Sequence, residues 1–127
     1  MAGRRWDNAI AIGCRAPLDV HNPTGPGQAE GVSDAHPAGK DPRPPPYDIP
    51  FGCLVPEQVN GLLLAGRCIS GDHDAHASYR FQTICMATGA AAGFAAAESV
   101  RRNVQPRDVD VRAVQYQLGM KPMEGST

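Results

Sequence analysis

The chain has 127 residues and a net charge of -1, from 12 Lys and Arg against 13 Asp and Glu. That makes it at most one small domain and excludes both a strongly basic nucleic-acid binder and an acidic disordered tail. Hydrophobic residues at 42% and charged residues at 20% are globular proportions, while 6% aromatic residues with 14 Gly and 12 Pro indicate a loop-rich chain with a thin core.

In chain order, residues 8–12 alternate and predict a strand, with Ile10 and Ile12 on one face. Residues 19–21 suggest a second short strand, and residues 22–27 have turn chemistry throughout. From Gln28 to Pro46 the only aliphatic larger than alanine is Val32, so this stretch reads as a surface loop. Residues 47–55 are expected to be extended, with Pro50 marking an edge or a bulge. Ten of the twelve prolines lie at or before Pro56 and none falls between Glu57 and Gln105, so uninterrupted structure belongs to the second half. Asn60-Gly61 is a turn, and residues 62–65 form an all-apolar run ending at Gly66, which predicts a strand buried on both faces as in a parallel sheet. A polar loop follows, from Arg67 to about Arg80. Residues 83–102 predict a helix, with seven alanines between Ala87 and Ala97, Glu98 outside, and Arg101 and Arg102 at its C-terminal end. A last helix is expected over residues 109–118, capped by Asp108 and ended by Gly119. The order strand, loop, helix is that of an α/β nucleotide-binding unit.

Several residue types between Leu62 and Gly93 carry chemistry. A strand ending in glycine lets backbone approach a ligand, and Arg67 and Arg80 bracket the loop with groups suited to phosphate. Around residues 86–89 small side chains would leave helix N–H groups open to a ligand oxygen. Gly89, Gly93 and Ala97 recur every fourth residue, which suits either tight helix packing or close approach of a cofactor. Cys68, His73 and His76, with Asp72 and Asp74, offer metal-ligand types, but adjacent side chains converge poorly and no metal is expected. Cys14, Cys53, Cys68 and Cys85 have no C-x-x-C spacing and read as reduced packing thiols, with Cys85 the exception because the helix start favours a thiolate. His21 and His36 read as solvated, and Trp6 as a packing anchor. Arg4-Arg5 precedes no apolar run, so no signal peptide is expected. The longest apolar stretch, residues 84–97, is 14 residues and too short to span a bilayer. A cytoplasmic protein without membrane or nucleic-acid partners is the expectation.

The run from Leu63 to Ser70 (LLAGRCIS), then His73, Ala77-Ser78, Arg80 and the run from Cys85 to Gly93 (CMATGAAAG) resemble the C-terminal part of the FAD-dependent oxidoreductase family. Residues 47–56 resemble that family's return strand into its FAD domain, residues 7–12 and 19–23 the end of its substrate-side domain, and residues 106–110 its closing helix. The resemblance runs from about Trp6 to Leu118. It implies an α/β fold, the C-terminal portion of a Rossmann-like FAD/NAD(P)-binding fold of the glutathione-reductase kind with part of a substrate-side β-sheet. Residues 1–46 would close the substrate-side region, with its Pro/Gly-rich loop, and residues 47–127 would belong to the FAD-binding domain.

Carried over by position, Ala65, Gly66 and Arg67 would lie at the strand end beside FAD, and Met86, Ala87, Thr88 and Gly89 would turn helix N-terminal amides toward the pyrimidine edge of the flavin. Arg80 would lie near flavin or substrate, and His73 and His76 become candidates for acid–base or positioning work. The sequence contains no G-x-G-x-x-G, the turn that holds the ADP pyrophosphate. The chain is therefore expected to contribute the flavin-facing part of a hydride-transferring enzyme, acting on a small organic substrate together with an N-terminal FAD-binding half or a partner subunit. The alternatives are a non-catalytic remnant, a small subunit completing a partner's FAD site, and a small metal-binding domain. Alone it is expected to be marginally stable, with an exposed sheet edge.

Overall fold

The computed structural model describes residues 6–19, 25 and 43–121. Of the sequence expectations, residues 20–24 and 26–42, including His21 and His36, lie outside this set. Asp19 is described and belongs to no strand.

The alternating run near the N-terminus forms β1, Ala9–Cys14, which pairs antiparallel with β2, Tyr47–Pro50. Ile10 is buried, but Ile12 is 50% exposed, so the two do not share a face as the alternation predicts. The ladder shifts register between Ala9 and Ala11 and again between Ala11 and Cys14. Each irregularity twists the strand and breaks the two-residue period. Gly13, at φ +63°, turns its amide onto Asp48 Oδ1 at 3.0 Å. The extended stretch expected over residues 47–55 ends early. Pro50, which has no N–H for a ladder, is followed by a 3₁₀ turn, Phe51–Leu54.

Two further expectations need correction. Residues 62–65 are not a strand, and the described sheet has two antiparallel strands rather than a parallel core. Leu62 is 44% exposed, and the run is tethered to the turn after β2 by a backbone bond from Leu64 N–H to the Leu54 carbonyl at 2.8 Å. An all-apolar run becomes a doubly buried strand only with a ladder on each edge, and no described strand flanks this one. The polar loop from Arg67 to Arg80 instead holds a 3₁₀ turn, Gly66–Cys68, and a helix α1, His73–Tyr79. Asp72 caps α1, its carboxylate accepting the Ala75 N–H at 2.7 Å. The helix is fixed from its other end by Tyr79, which is buried and donates its hydroxyl to the Ile69 carbonyl at 2.9 Å. Gly71 sits under that ring. A Cβ there would lie 2.6 Å from Tyr79 Cε1.

The long helix forms as its alanines demand. α2 is Gln82–Arg102, 21 residues, and ends at Asn103 in the left-handed conformation. It is long and apolar enough, by length and composition, to cross a membrane, beyond what its 14-residue apolar stretch suggested. Here its buried face, Ile84, Thr88, Ala91, Ala95, Glu98 and Ser99, packs toward β1, the 66–68 turn and the C-terminal segment. The glycine stripe is on another side. Gly93 and Ala97 are exposed, and a Cβ at Gly89 or Gly93 would meet nothing within 4 Å.

Glu98 is not outside but buried, where Arg101 forks onto it at 2.7 Å and Arg102 binds its other oxygen. Hydrogen bonds from these guanidinium groups, with their charge, hold the Glu98 carboxyl below its usual value of 4.5. A depressed folded-state value means stability fully present above pH 4.5 and lost as pH falls below it. The denaturant midpoint should therefore drop more steeply below pH 4.5 in the wild type than in Glu98→Gln. Parallel acid profiles would remove this assignment.

The closing helix also starts later than expected. Pro106–Asp108 is a 3₁₀ turn, and Asp110 rather than Asp108 caps α3, Val111–Gln117, by accepting the Arg112 N–H at 3.0 Å. Gly119, at φ +69°, follows its end. α3 closes the core through Val114, fully buried, and reaches β1 through Gln115, whose amide donates to the carbonyls of Asp7 and Ala9 at 2.8 Å each. The core is centred on Ile10, Phe51, Leu54, Ile69, Ile84 and Val114.

Candidate functional site: the start of the long helix

α2 begins with an unbalanced electrostatic end. Its N-cap, Phe81, supplies no side-chain acceptor, and no acidic residue lies in its first turn. The first full-turn bond is Cys85 N–H to the Phe81 carbonyl at 3.0 Å, so the Gln82 and Thr83 amides lie ahead of the ladder. Twenty-one aligned peptide units therefore leave positive potential at this end without a local anion among the described residues of that turn.

The predicted residues Ala65, Gly66 and Arg67 are brought to this end, though not by a strand. Gly66, at φ +61°, turns its N–H onto the Thr88 hydroxyl at 3.0 Å, and a Cβ on Gly66 would lie 3.7 Å from Cys85 Cβ. The turn passes so close to the helix that Arg67 reaches over its start, Nε 3.4 Å from the Arg80 carbonyl. Arg80 itself is committed elsewhere. Its guanidinium binds the Asp19 carboxylate at 2.6 Å and the Asp19 carbonyl at 2.7 Å, 61 residues away in sequence. That pairing ties the segment after β1 to the end of α1, and no spacing rule reveals it.

Four of the predicted residues are placed differently from the expectation. Met86, Ala87, Thr88 and Gly89 lie in the second turn of α2, because the helix opens at Gln82, and their amides belong to the helical ladder. Met86 points outward at 68% exposure, Thr88 is fully buried with its hydroxyl bonded to the Cys85 carbonyl, and the amides ahead of the ladder belong instead to Gln82 and Thr83. Cys85, the thiol singled out by its position, directs its S–H toward the carbonyls of Arg80 at 3.4 Å and Tyr79 at 3.7 Å.

His73 is exposed at the first position of α1, and His76 packs edge-on against Tyr79 with ring centroids 5.2 Å apart. Among the described residues no group of three or more His, Cys, Asp or Glu is gathered to hold a metal ion, so Cys68, His73 and His76 do not close into a ligand set.

Beside the helix start lies an open groove of about 370 Å³, lined by residues 11–16 of β1 and its continuation and by Thr83, Ile84 and Ala87. The sequence reading missed it, because its walls are ordinary small and aliphatic residues from two distant segments. Tyr47 and Ser78 share a hydrogen bond at 2.7 Å, and Ser78 donates to the carbonyl of Ala16, a lining residue of the groove, at 2.7 Å.

Cys14, at the groove, is pushed up to about 11 from 9.0 by burial and by the Asp48 carboxylate. A raised folded-state value contributes stability fully present below pH 9 and lost as pH rises toward 11. Wild-type protein should lose denaturant resistance over pH 9–11 more steeply than Cys14→Ala, and equal slopes would contradict the burial described here.

Positive potential at a helix start beside a close glycine turn favours a ligand edge that carries or gains negative charge. Nothing in the sequence supplies the glycine-rich turn for an ADP pyrophosphate. No curated protein matches the chain, and no solved structure does. The family model for FAD dependent oxidoreductases matches residues 1–118, nearly the whole chain, so the chain belongs to the FAD-dependent oxidoreductase family.

Proposed function

We infer that this chain supplies the flavin-ring end of an oxidoreductase site, and that a separate dinucleotide-binding unit holds the ADP end. The observation that carries this reading is the Gly66–Thr88 hydrogen bond, which brings Arg67 over the start of a 21-residue helix with no acidic first turn. Of the groups named from the sequence, Ala65, Gly66 and Arg67 remain in the reading as ring-side contacts. Gln82 and Thr83 replace residues 86–89 as donors of free amides.

Bound FAD supplies a ring that accepts a hydride from an organic substrate. The protein's own part is electrostatic and steric. The Gln82 and Thr83 amides and the Arg67 guanidinium stabilise negative charge on a ligand edge placed at the helix start. The groove beside them, walled in part by Ala11, Ile12, Ile84 and Ala87, offers an apolar surface against which a small organic substrate can lie. Arg80, bound to Asp19, positions the entry to α2 rather than reacting. His76, half-buried against Tyr79, remains the candidate for proton transfer, and His73 lies in solvent.

The reading makes a distinctive demand on ligand binding. If only the ring end is built here, riboflavin and FAD bind this chain with affinities within about threefold of each other, a difference below about 0.7 kcal/mol. Fluorescence titration with both ligands tests it. FAD binding far tighter than riboflavin would place the ADP end on this chain, and binding of neither would remove the reading.

A further inference from the structure

We propose that Thr88 is a positioning residue of the flavin-ring site, acting through its hydroxyl on Gly66 and hence on Arg67; the proposal rests on the ring-end reading above. Thr88 is fully buried between the apolar Ile84 and Ala91 of the same helix face, where a valine would fill the same space. Its hydroxyl makes two bonds. Donation to the Cys85 carbonyl at 3.0 Å is the ordinary back-bond of a helical threonine. Acceptance of the Gly66 N–H at 3.0 Å is not local, since 22 residues separate the pair.

That second bond does specific work. Gly66 is in the left-handed conformation, which aims its amide into the helix and sends Arg67 toward the Arg80 carbonyl, just ahead of the Phe81 cap. Cys85, one turn before Thr88 on the same face, limits how closely the turn approaches. Thr88 thus sets where a guanidinium stands relative to the start of α2, without touching that guanidinium. With the hydroxyl gone, the Gly66 amide faces a methyl group. A half-buried donor without an acceptor is costly, so the turn lifts to reach water and carries Arg67 away.

The test compares Thr88→Val, which keeps shape, Thr88→Ser, which keeps the hydroxyl, Arg67→Ala, and the Thr88→Val/Arg67→Ala pair. The readouts are hydrogen exchange at the Gly66 amide and riboflavin affinity. Thr88→Val is expected to speed Gly66 exchange and weaken riboflavin by about tenfold each, the scale of one lost hydrogen bond. Thr88→Ser restores both, and the double variant binds no more weakly than Arg67→Ala alone, because the two residues act through one position. Unchanged Gly66 exchange in Thr88→Val, a serine variant as weak as the valine one, or losses that multiply in the double variant would each overturn the proposal while wild-type binding stands. Absence of riboflavin binding by the wild type would instead overturn the ring-end reading, and this proposal with it.

Discussion

Replacing Leu54 by alanine should destabilise the protein by about 2–5 kcal/mol, the range for emptying a fully buried leucine site. Leu54 has no exposed surface and packs within a core that joins β1, the 3₁₀ turn after β2, α2 and α3. Its backbone also accepts the Leu64 N–H, the bond that tethers residues 62–65 and so leads the chain into the Gly66 turn. Urea denaturation measures the loss. A change under about 1 kcal/mol, typical of a surface substitution, would mean that the core is not organised around this residue.

Gly66→Val is the second large effect, and it separates site from fold. At φ +61° a β-branched residue is strained by about 1–2 kcal/mol. The added Cβ would sit 3.7 Å from Cys85 Cβ, an ordinary contact, so its two further methyl groups press on the helix or force the turn outward. Stability should fall by that modest amount, whereas riboflavin binding should fall below detection because Arg67 moves with the turn. Binding retained at wild-type strength would show that the turn is not part of the ligand site.

The two predictions rest on features that the sequence revealed unequally. The long helix was legible almost to the residue, because seven alanines and the absence of proline leave one choice of local structure. β1 was legible as a strand, but not in its faces, because bulges leave no mark in a hydrophobic pattern. Residues 62–65 misled for a physical reason. Burial on both faces is a property of neighbours, and four apolar residues look the same with or without them. α1 was hidden within a polar stretch, although Asp72 two residues before Asp74 and an Ala-containing segment already held a cap and a helix former.

The meeting of segments at the candidate site was legible in part. Gly66 and Arg67 stood out by type, and their meeting with the helix start depends on Thr88, whose buried hydroxyl has no sequence signature. The displacement from Met86–Gly89 to Gln82 and Thr83 has a simple origin: small residues mark where a helix can be approached, and they do not mark where it begins. The Arg80–Asp19 pair and the groove join segments about sixty or more residues apart, beyond the reach of any local pattern.

The central claim is that a flavin ring is received at the start of α2. An amide NMR titration of the labelled chain with riboflavin tests it most directly, since it reports location even when affinity is weak. The account predicts saturable shifts at Gly66, Arg67, Gln82 and Thr83, with His73 and the exposed residues Gly93 and Ala97 unaffected. Shifts confined to the exposed side of α2, or none up to the solubility limit of the ligand, would contradict it.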